Sequence, residues 1–269
     1  MNTITRTLVI TGIGIHSGKE VSMELTPISE KGIFFDYDGH LIKVDIKNIA
    51  ANHLRSTLLT NGIAKIQTPE HFLAACYALE LSNIKVTLSS YELPIMDGSA
   101  INFIEFILPY IVPLQNINRS LIVISKNIYF SHNDSHYFLF PSPNLRVTIA
   151  LSYPNHWLKS MIYSFNYSKN TFIDEICPAR TYGFTHEIEQ LKKQGLIKGG
   201  SLDNAILISD EGYENKLRFD NEIIRHKLLD FFGDFYISGS QLQANCILIK
   251  PSHEGNCGLL KELKSQKII

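Results

Sequence analysis

The sequence predicts an α+β fold built from two similar halves, each a sheet layered with helices. Three observations carry this prediction. Short apolar or alternating runs bounded by Gly, Asn and Asp extend from Thr5 to Gln67, helix patterns follow them, and the same succession restarts at Leu121. Strands grouped ahead of helices argue for separate layers rather than alternating parallel βαβ units. With 269 residues the chain holds one large domain or two small ones. Residues 111–119, with Pro113, Gln115, Asn116 and Asn118, mark the break, giving domains at 1–115 and 119–269.

In the first half, 7–10, 21–25, 33–35 and 41–44 read as strands of an antiparallel meander. A helix is expected from Thr68-Pro69-Glu70-His71: Thr is a good N-cap, Pro suits the first turn, and Phe72, Leu73, Ala74, Ala75 and Leu79 supply the apolar positions. Residues 83–89 return to strand, and 99–108 form a second helix after the turn Met96-Asp97-Gly98. In the second half, strands fall near 121–125, 127–131, 136–141, 145–152 and 161–168, then helices near 170–176 and 184–194. A strand at 205–209 and a long helix over about 219–237 complete it. Each half carries a helix with a His, Glu70-His71-Phe72-Leu73 and Arg225-His226-Lys227-Leu228, a theme too loose by itself to establish duplication.

Composition excludes several classes of function. Hydrophobic residues at 45% and charged residues at 19% are ordinary for a globular chain. A net charge of −1 gives no global field to gather phosphate backbones, so nucleic acid is not an expected partner. The longest apolar stretch, 101–114, is interrupted by Asn102, Glu105, Pro109 and Pro113, so no transmembrane helix is expected. Near the N-terminus, Gly12, Gly14, His16 and Lys19 arrive too early for a signal peptide, which points to the cytoplasm. Cys76, Cys177, Cys246 and Cys257 lack any paired spacing and read as reduced, buried thiols. Gly12-Ile13-Gly14 is too sparse for a dinucleotide fingerprint. With no coiled-coil segment, a monomer is the default.

On the long helix, His226, Asp230 and Asp234 fall at i, i+4 and i+8 and stack on one face. That face is either a solvated His/Asp stripe or a pair of metal ligands. Leu228, Leu229, Phe231, Phe232 and Phe235 surround it, and polar residues among aromatics need partners. Glu70 and His71 sit in a first helical turn, where the dipole favours the carboxylate. If His71 joins His226 and Asp230, two imidazoles and one carboxylate make an open site suited to catalytic Zn2+, and Glu70 stands where it can take a proton from the activated water. Thr181 lies on a turn before a helix and reads equally as an N-cap. Gly199-Gly200-Ser201-Leu202-Asp203-Asn204 is a turn that lets backbone approach a ligand. His253 is a lone loop-to-helix histidine that nothing local singles out.

Taken in order, six motifs resemble the zinc-dependent UDP-3-O-acyl-N-acetylglucosamine deacetylase family of lipid A synthesis: Thr11 to Gly18, Thr68-Pro69-Glu70-His71, Leu93 to Ala100, Ala179 to Phe184, Gly199 to Ala205, and Arg225 to Asp230 with Gly233-Asp234. The resemblance spans nearly the whole chain and implies two α+β domains packed face to face around the active site, acting on UDP-3-O-(3-hydroxyacyl)-N-acetylglucosamine. It implies His71, His226 and Asp230 as ligands of Zn2+, with Fe2+ as the alternative ion, and Glu70 as general base. It further implies Thr181 as a partner of the oxyanion, His253 as the acid that protonates the leaving amine, Asp234 as the residue that orients His253, and Lys227 as added positive charge. An insert near 181–207 would build an apolar acyl passage from Tyr182, Ile188, Ile197, Leu202, Ala205 and Leu207. Tyr182 stands where the family more often has Phe, and Ser252 where it commonly has Gly. Two rival readings share the ligand set: a non-haem Fe(II) oxygenase with a facial triad, and a sugar-nucleotide binding protein with a structural metal.

Overall fold

The structure, a computed structural model, describes residues 1–51, 55–115, 120–153 and 157–269. Of the expected interdomain break, 116–119 lies outside the described residues. Two five-stranded sheets organise the chain. In the first, the strands run in the order Leu8–Ile13, Glu20–Pro27, Ile84–Leu88, Ile33–Tyr37, His40–Lys43. The expected antiparallel meander is therefore corrected: Ile84–Leu88 enters between the second and third strands, antiparallel to Glu20–Pro27 and parallel to Ile33–Tyr37. The parallel pair needs a long crossover, and helix α1 (Glu70–Leu79) lies within it.

The second sheet repeats this plan. Its order is Ile128–His132, Ser135–Phe140, Asn245–Ile249, Arg146–Tyr153, Lys159–Asn166, with the last strand in sequence again at the centre, antiparallel to one neighbour and parallel to the other. In each half a buried helix precedes the central strand and another helix follows it. These are α1 and α2 (Ile101–Ile107) in the first half. In the second, the short α3 (Lys169–Thr171), which runs on as one π-helical turn over Phe172–Ile176, and α4 (Thr185–Lys193) come before α5 (Glu222–Phe235), and α6 (His253–Ser265) comes last. The two histidine helices, α1 and α5, occupy equivalent places in the two halves. Shared topology supports the duplication that the sequence theme alone left open.

All ten residues of α1 are buried, and on α5 all but Arg225 and Lys227 are. A helix apolar on every side must be enclosed, and α1 is covered by α5. An aromatic cluster seals the joint: Tyr77 of α1 meets Phe232 and Tyr236 of the second half at ring separations of 4.9 and 5.5 Å. Polar ties cross it as well, from Gln241 Nε2 to the Tyr77 carbonyl at 3.0 Å and from the Tyr236 hydroxyl to the Leu81 carbonyl at 3.1 Å. The four cysteines are free and buried, as expected. No helix of the described residues is long and apolar enough to cross a membrane.

Thr68 does not cap α1. Pro69 holds the N-cap position, and Thr68 takes the left-handed region at φ 58°, which turns its hydroxyl towards Glu92 Oε1 at 3.5 Å. The strand Asn245–Ile249 and the pairing of Asn2–Ile4 with Ile111–Pro113 were not among the expected elements.

Candidate active site

Three helices bring the chemical groups together. α1 supplies Glu70 and His71 from its first turn, α5 supplies His226, Lys227, Asp230 and Asp234, and α6 opens on His253. α1 and α5 approach this closely because Gly233 lies against the Glu70 carbonyl, where any Cβ would collide with backbone. Helix propensity alone makes alanine about 1 kcal/mol better than glycine. The backbone oxygen cannot step aside, so Gly233→Ala is expected to destabilise the fold by about 3 kcal/mol, read as a lower urea midpoint. A midpoint equal to or above the parent's would show that the helices part freely.

His71, His226 and Asp230 each offer a ligand atom, and these atoms lie within 4.8 Å of one another. His226 Nε2 is 3.3 Å and His71 Nε2 3.6 Å from Asp230 Oδ1. The Ala179 carbonyl, 3.0 Å from His226 Nδ1, accepts that proton and leaves Nε2 with its lone pair towards the carboxylate. Burial keeps the His226 ring neutral, with its pKa lowered to about 4. Burial works against ionised Asp230, but His226, Lys227 and His253 outweigh it and hold the carboxyl well below its usual range. Lys227 Nζ donates to Asp230 Oδ2 at 2.9 Å. Asp230 Oδ1 and His71 Nδ1 are buried without a hydrogen-bond partner among the described residues. Buried polar atoms are rarely left unpaired. An ionised carboxylate oxygen without a donor, facing a neutral imidazole, fits a divalent cation.

Beside this triad lies a second cluster. His253 Nδ1 donates to Asp234 Oδ2 at 2.8 Å, while its Nε2 stands 3.8 Å from both Glu70 Oε1 and Asp230 Oδ2. Burial, with Asp234 and Asp230 adding, pushes Glu70 up to about 7 against the pull of His253 and His71. His253 moves the other way from what burial favours: Asp234, Glu70 and Asp230 raise it to about 9. Near neutrality the cluster therefore offers a proton acceptor at Glu70 and a proton donor at His253. Ser252, the departure from glycine, has a local reason, since its hydroxyl caps α6 by accepting from the Gly255 amide at 3.1 Å.

Both clusters open on a cavity of about 560 Å³ lined by Glu70, His71, Thr181, His226, Lys227, Asp230 and His253. Asp234 is not in the wall; it is fully buried behind His253. Tyr182, Ile188, Ile197, Leu202, Ala205 and Leu207 all line the same cavity. Thr181 is not an N-cap: it precedes the strand Tyr182–Phe184, its amide donates to the Gly98 carbonyl at 2.8 Å, and its hydroxyl has no hydrogen-bond partner among the described residues. The extra hydroxyl of Tyr182 pairs with that of Tyr153 at 2.7 Å.

Gly199 serves the fold rather than a ligand. A Cβ there would strike the Gly14 carbonyl, and the Gly199 amide donates to the Ile15 carbonyl at 3.0 Å, stitching the insert to the first half. Sequence reasoning missed His16 and Arg55 as lining residues. His16 lay within a motif already singled out, but Arg55 gives no local signal, since only the fold sets it against Glu187 of α4 at 2.5 Å. Thr57 and Asn256, which bond to the acid/base cluster, were missed too.

Comparison with known proteins agrees with this geometry. The family model described as LpxC: UDP-3-O-acyl N-acetylglycosamine deacetylase matches residues 1–265. A UDP-3-O-acyl-N-acetylglucosamine deacetylase of Thermodesulfovibrio yellowstonii is 35% identical over 265 residues, covering 97% of this chain and 90% of the relative. Enzymes of that name from Leptospira biflexa and Helicobacter hepaticus are each 34% identical, covering 98% of this chain and 89% and 90% of their own lengths. With the match running through both sheets and all three helices of the site, this chain belongs to the UDP-3-O-acyl N-acetylglycosamine deacetylase family.

Proposed function

We propose that this protein hydrolyses the N-acetyl group of UDP-3-O-(3-hydroxyacyl)-N-acetylglucosamine, releasing acetate and the free amine, in the committed step of lipid A biosynthesis. The observation that carries this reading is the cavity in which a two-histidine, one-carboxylate triad lies beside a base and an acid of opposite proton affinity. An Fe(II) oxygenase has no use for that second pair.

Zn2+ held by His71, His226 and Asp230 would supply a Lewis acid for the amide oxygen and lower the pKa of the attacking water, with Fe2+ as the alternative ion. Glu70 takes a proton from that water as its oxygen attacks the acetyl carbon. The Thr181 hydroxyl donates to the oxygen that becomes negative. His253 Nε2 gives its proton to the departing nitrogen as the carbon–nitrogen bond breaks, while Asp234 holds Nδ1–H and favours the imidazolium. Lys227 keeps Asp230 ionised and adds positive charge beside the reacting centre. Tyr182, Ile188, Ile197, Leu202, Ala205 and Leu207 form the passage for the 3-O-acyl chain, where burial contributes roughly 0.8 kcal/mol per CH₂. On this reading the enzyme works as a cytoplasmic monomer from two domains, 1–115 and 119–269.

Acetate release from that substrate, followed before chelation, after it, and after equimolar zinc is restored, tests the proposal. Release is expected to vanish with the chelator and return with zinc. Protein that holds metal yet releases no acetate from any acyl length would overturn the assignment.

A further inference from the structure

We infer that Thr57 is a positioning residue that sets the base and the acid relative to one another across the joint between the two halves. The inference rests on the assignment of Glu70 as base and His253 as acid. Thr57 is fully buried, and its backbone is anchored in the first half: its carbonyl accepts from the Thr68 amide at 3.1 Å, and the next residue begins the strand Leu58–Thr60. From this fixed point its two donors diverge. The Thr57 amide donates to Glu70 Oε2 at 3.2 Å, and its hydroxyl donates to Asp234 Oδ1 at 2.5 Å, on α5 of the other half.

Each bond leaves one carboxylate oxygen for chemistry. With Oε2 held by the amide, Glu70 keeps Oε1 towards His253 Nε2. With Oδ1 held by the hydroxyl, Asp234 keeps Oδ2 for His253 Nδ1–H and for Asn256 Nδ2, at 2.8 and 2.9 Å. His253 Nδ1 also lies 3.5 Å from the hydroxyl, but its proton is committed to Asp234, so the hydroxyl proton goes to the carboxylate as well. Apart from His253 itself, no other described residue is hydrogen-bonded or ion-paired to both Glu70 and Asp234. Rotation of either carboxylate would move the proton acceptor or the imidazole away from the reacting atoms, and catalysis is sensitive to such displacements.

Thr57→Val keeps the shape and the amide but deletes the hydroxyl. It is expected to lower kcat roughly tenfold, with KM within about twofold and bound metal unchanged. Thr57→Ala, which also lacks the hydroxyl, carries the same expectation should the valine variant fail to fold. Thr57→Ser, which restores the donor, should recover most of the loss. In an Asp234→Asn background the hydroxyl has lost the charge on which it acts, so adding Thr57→Val should cost less than about twofold more. A kcat within twofold of the parent in Thr57→Val, a change in KM alone, or the full tenfold loss repeated on Asp234→Asn would overturn the inference. If Glu70→Gln and His253→Ala both leave turnover intact, the acid/base assignment fails and the inference falls with it. If those two are inactive while Thr57→Val is not impaired, the inference alone fails.

Discussion

Replacing Glu70 by glutamine is expected to lower kcat by roughly 10²- to 10⁴-fold, the span that general-base catalysis commonly contributes, without loss of bound metal. Glutamine keeps the length of the side chain and an oxygen for the Thr57 amide, so the first turn of α1 should stay in place and His71 with it. What disappears is a proton acceptor that burial pushes up to about 7. A carboxyl tuned to that value accepts a proton from water more readily than an ordinary glutamate does, yet is still ionised in a useful fraction at neutral pH. Each tenfold loss corresponds to about 1.4 kcal/mol of barrier, so a thousandfold effect means about 4 kcal/mol. Acetate release by the variant, measured together with its metal content, decides the matter. Turnover within tenfold of the parent in metal-loaded Glu70→Gln would remove Glu70 from the role of base.

Much of this site was legible in the sequence, and the limits of that legibility are physical. The i, i+4 spacing of His226 and Asp230 determines that both side chains project from one face of α5, because helix geometry is local. Asp234, one further step of four, has rotated about 80° from His226 on a 3.6-residue helix. That drift takes it out of the triad and to His253. The joining of His71 to His226 is tertiary: it depends on Gly233 admitting α1 against α5, so the residues alone offered it only as a condition, which the family resemblance turned into an expectation. The sheets show the same division. Most strands announce themselves by pattern, but the central place of Ile84–Leu88 between strands distant in sequence is a matter of long-range pairing, so a meander was the natural and mistaken reading. Thr68 looked like a cap because cap preference is a local average, whereas a left-handed backbone at that residue denies it the geometry. Thr57 and Asn256 carry no sequence signal, since an ordinary Thr before a strand and an ordinary Asn on a helix acquire meaning only from the carboxylate they meet.

His253→Ala is expected to cost roughly 10²- to 10³-fold in kcat, as loss of a general acid commonly does, and to change the shape of the pH profile. On the proposed mechanism, the parent enzyme needs Glu70 without its proton and His253 with one. Rate therefore rises with pH as Glu70 ionises and falls as His253 loses its proton. The rising limb belongs to a group at about 7 and the falling limb to one at about 9 in the chain alone. A bound dication next door favours the carboxylate and opposes the imidazolium, so in the loaded enzyme both limbs lie below these values. Lys227 does not compete for the falling limb, because Asp230, against the effect of burial, raises its affinity for the proton above the ordinary lysine value. In His253→Ala the parent's descent should be absent from the residual activity while the rising limb remains. Glu70→Gln should show the reverse, losing the rise and keeping the descent. The two variants thus separate the groups by which limb each removes, a distinction that general damage to the site would not produce. A His253→Ala profile that keeps the parent's descent would assign the acid to another residue, and the imidazole held by Asp234 would then lose its place in proton delivery to the amine.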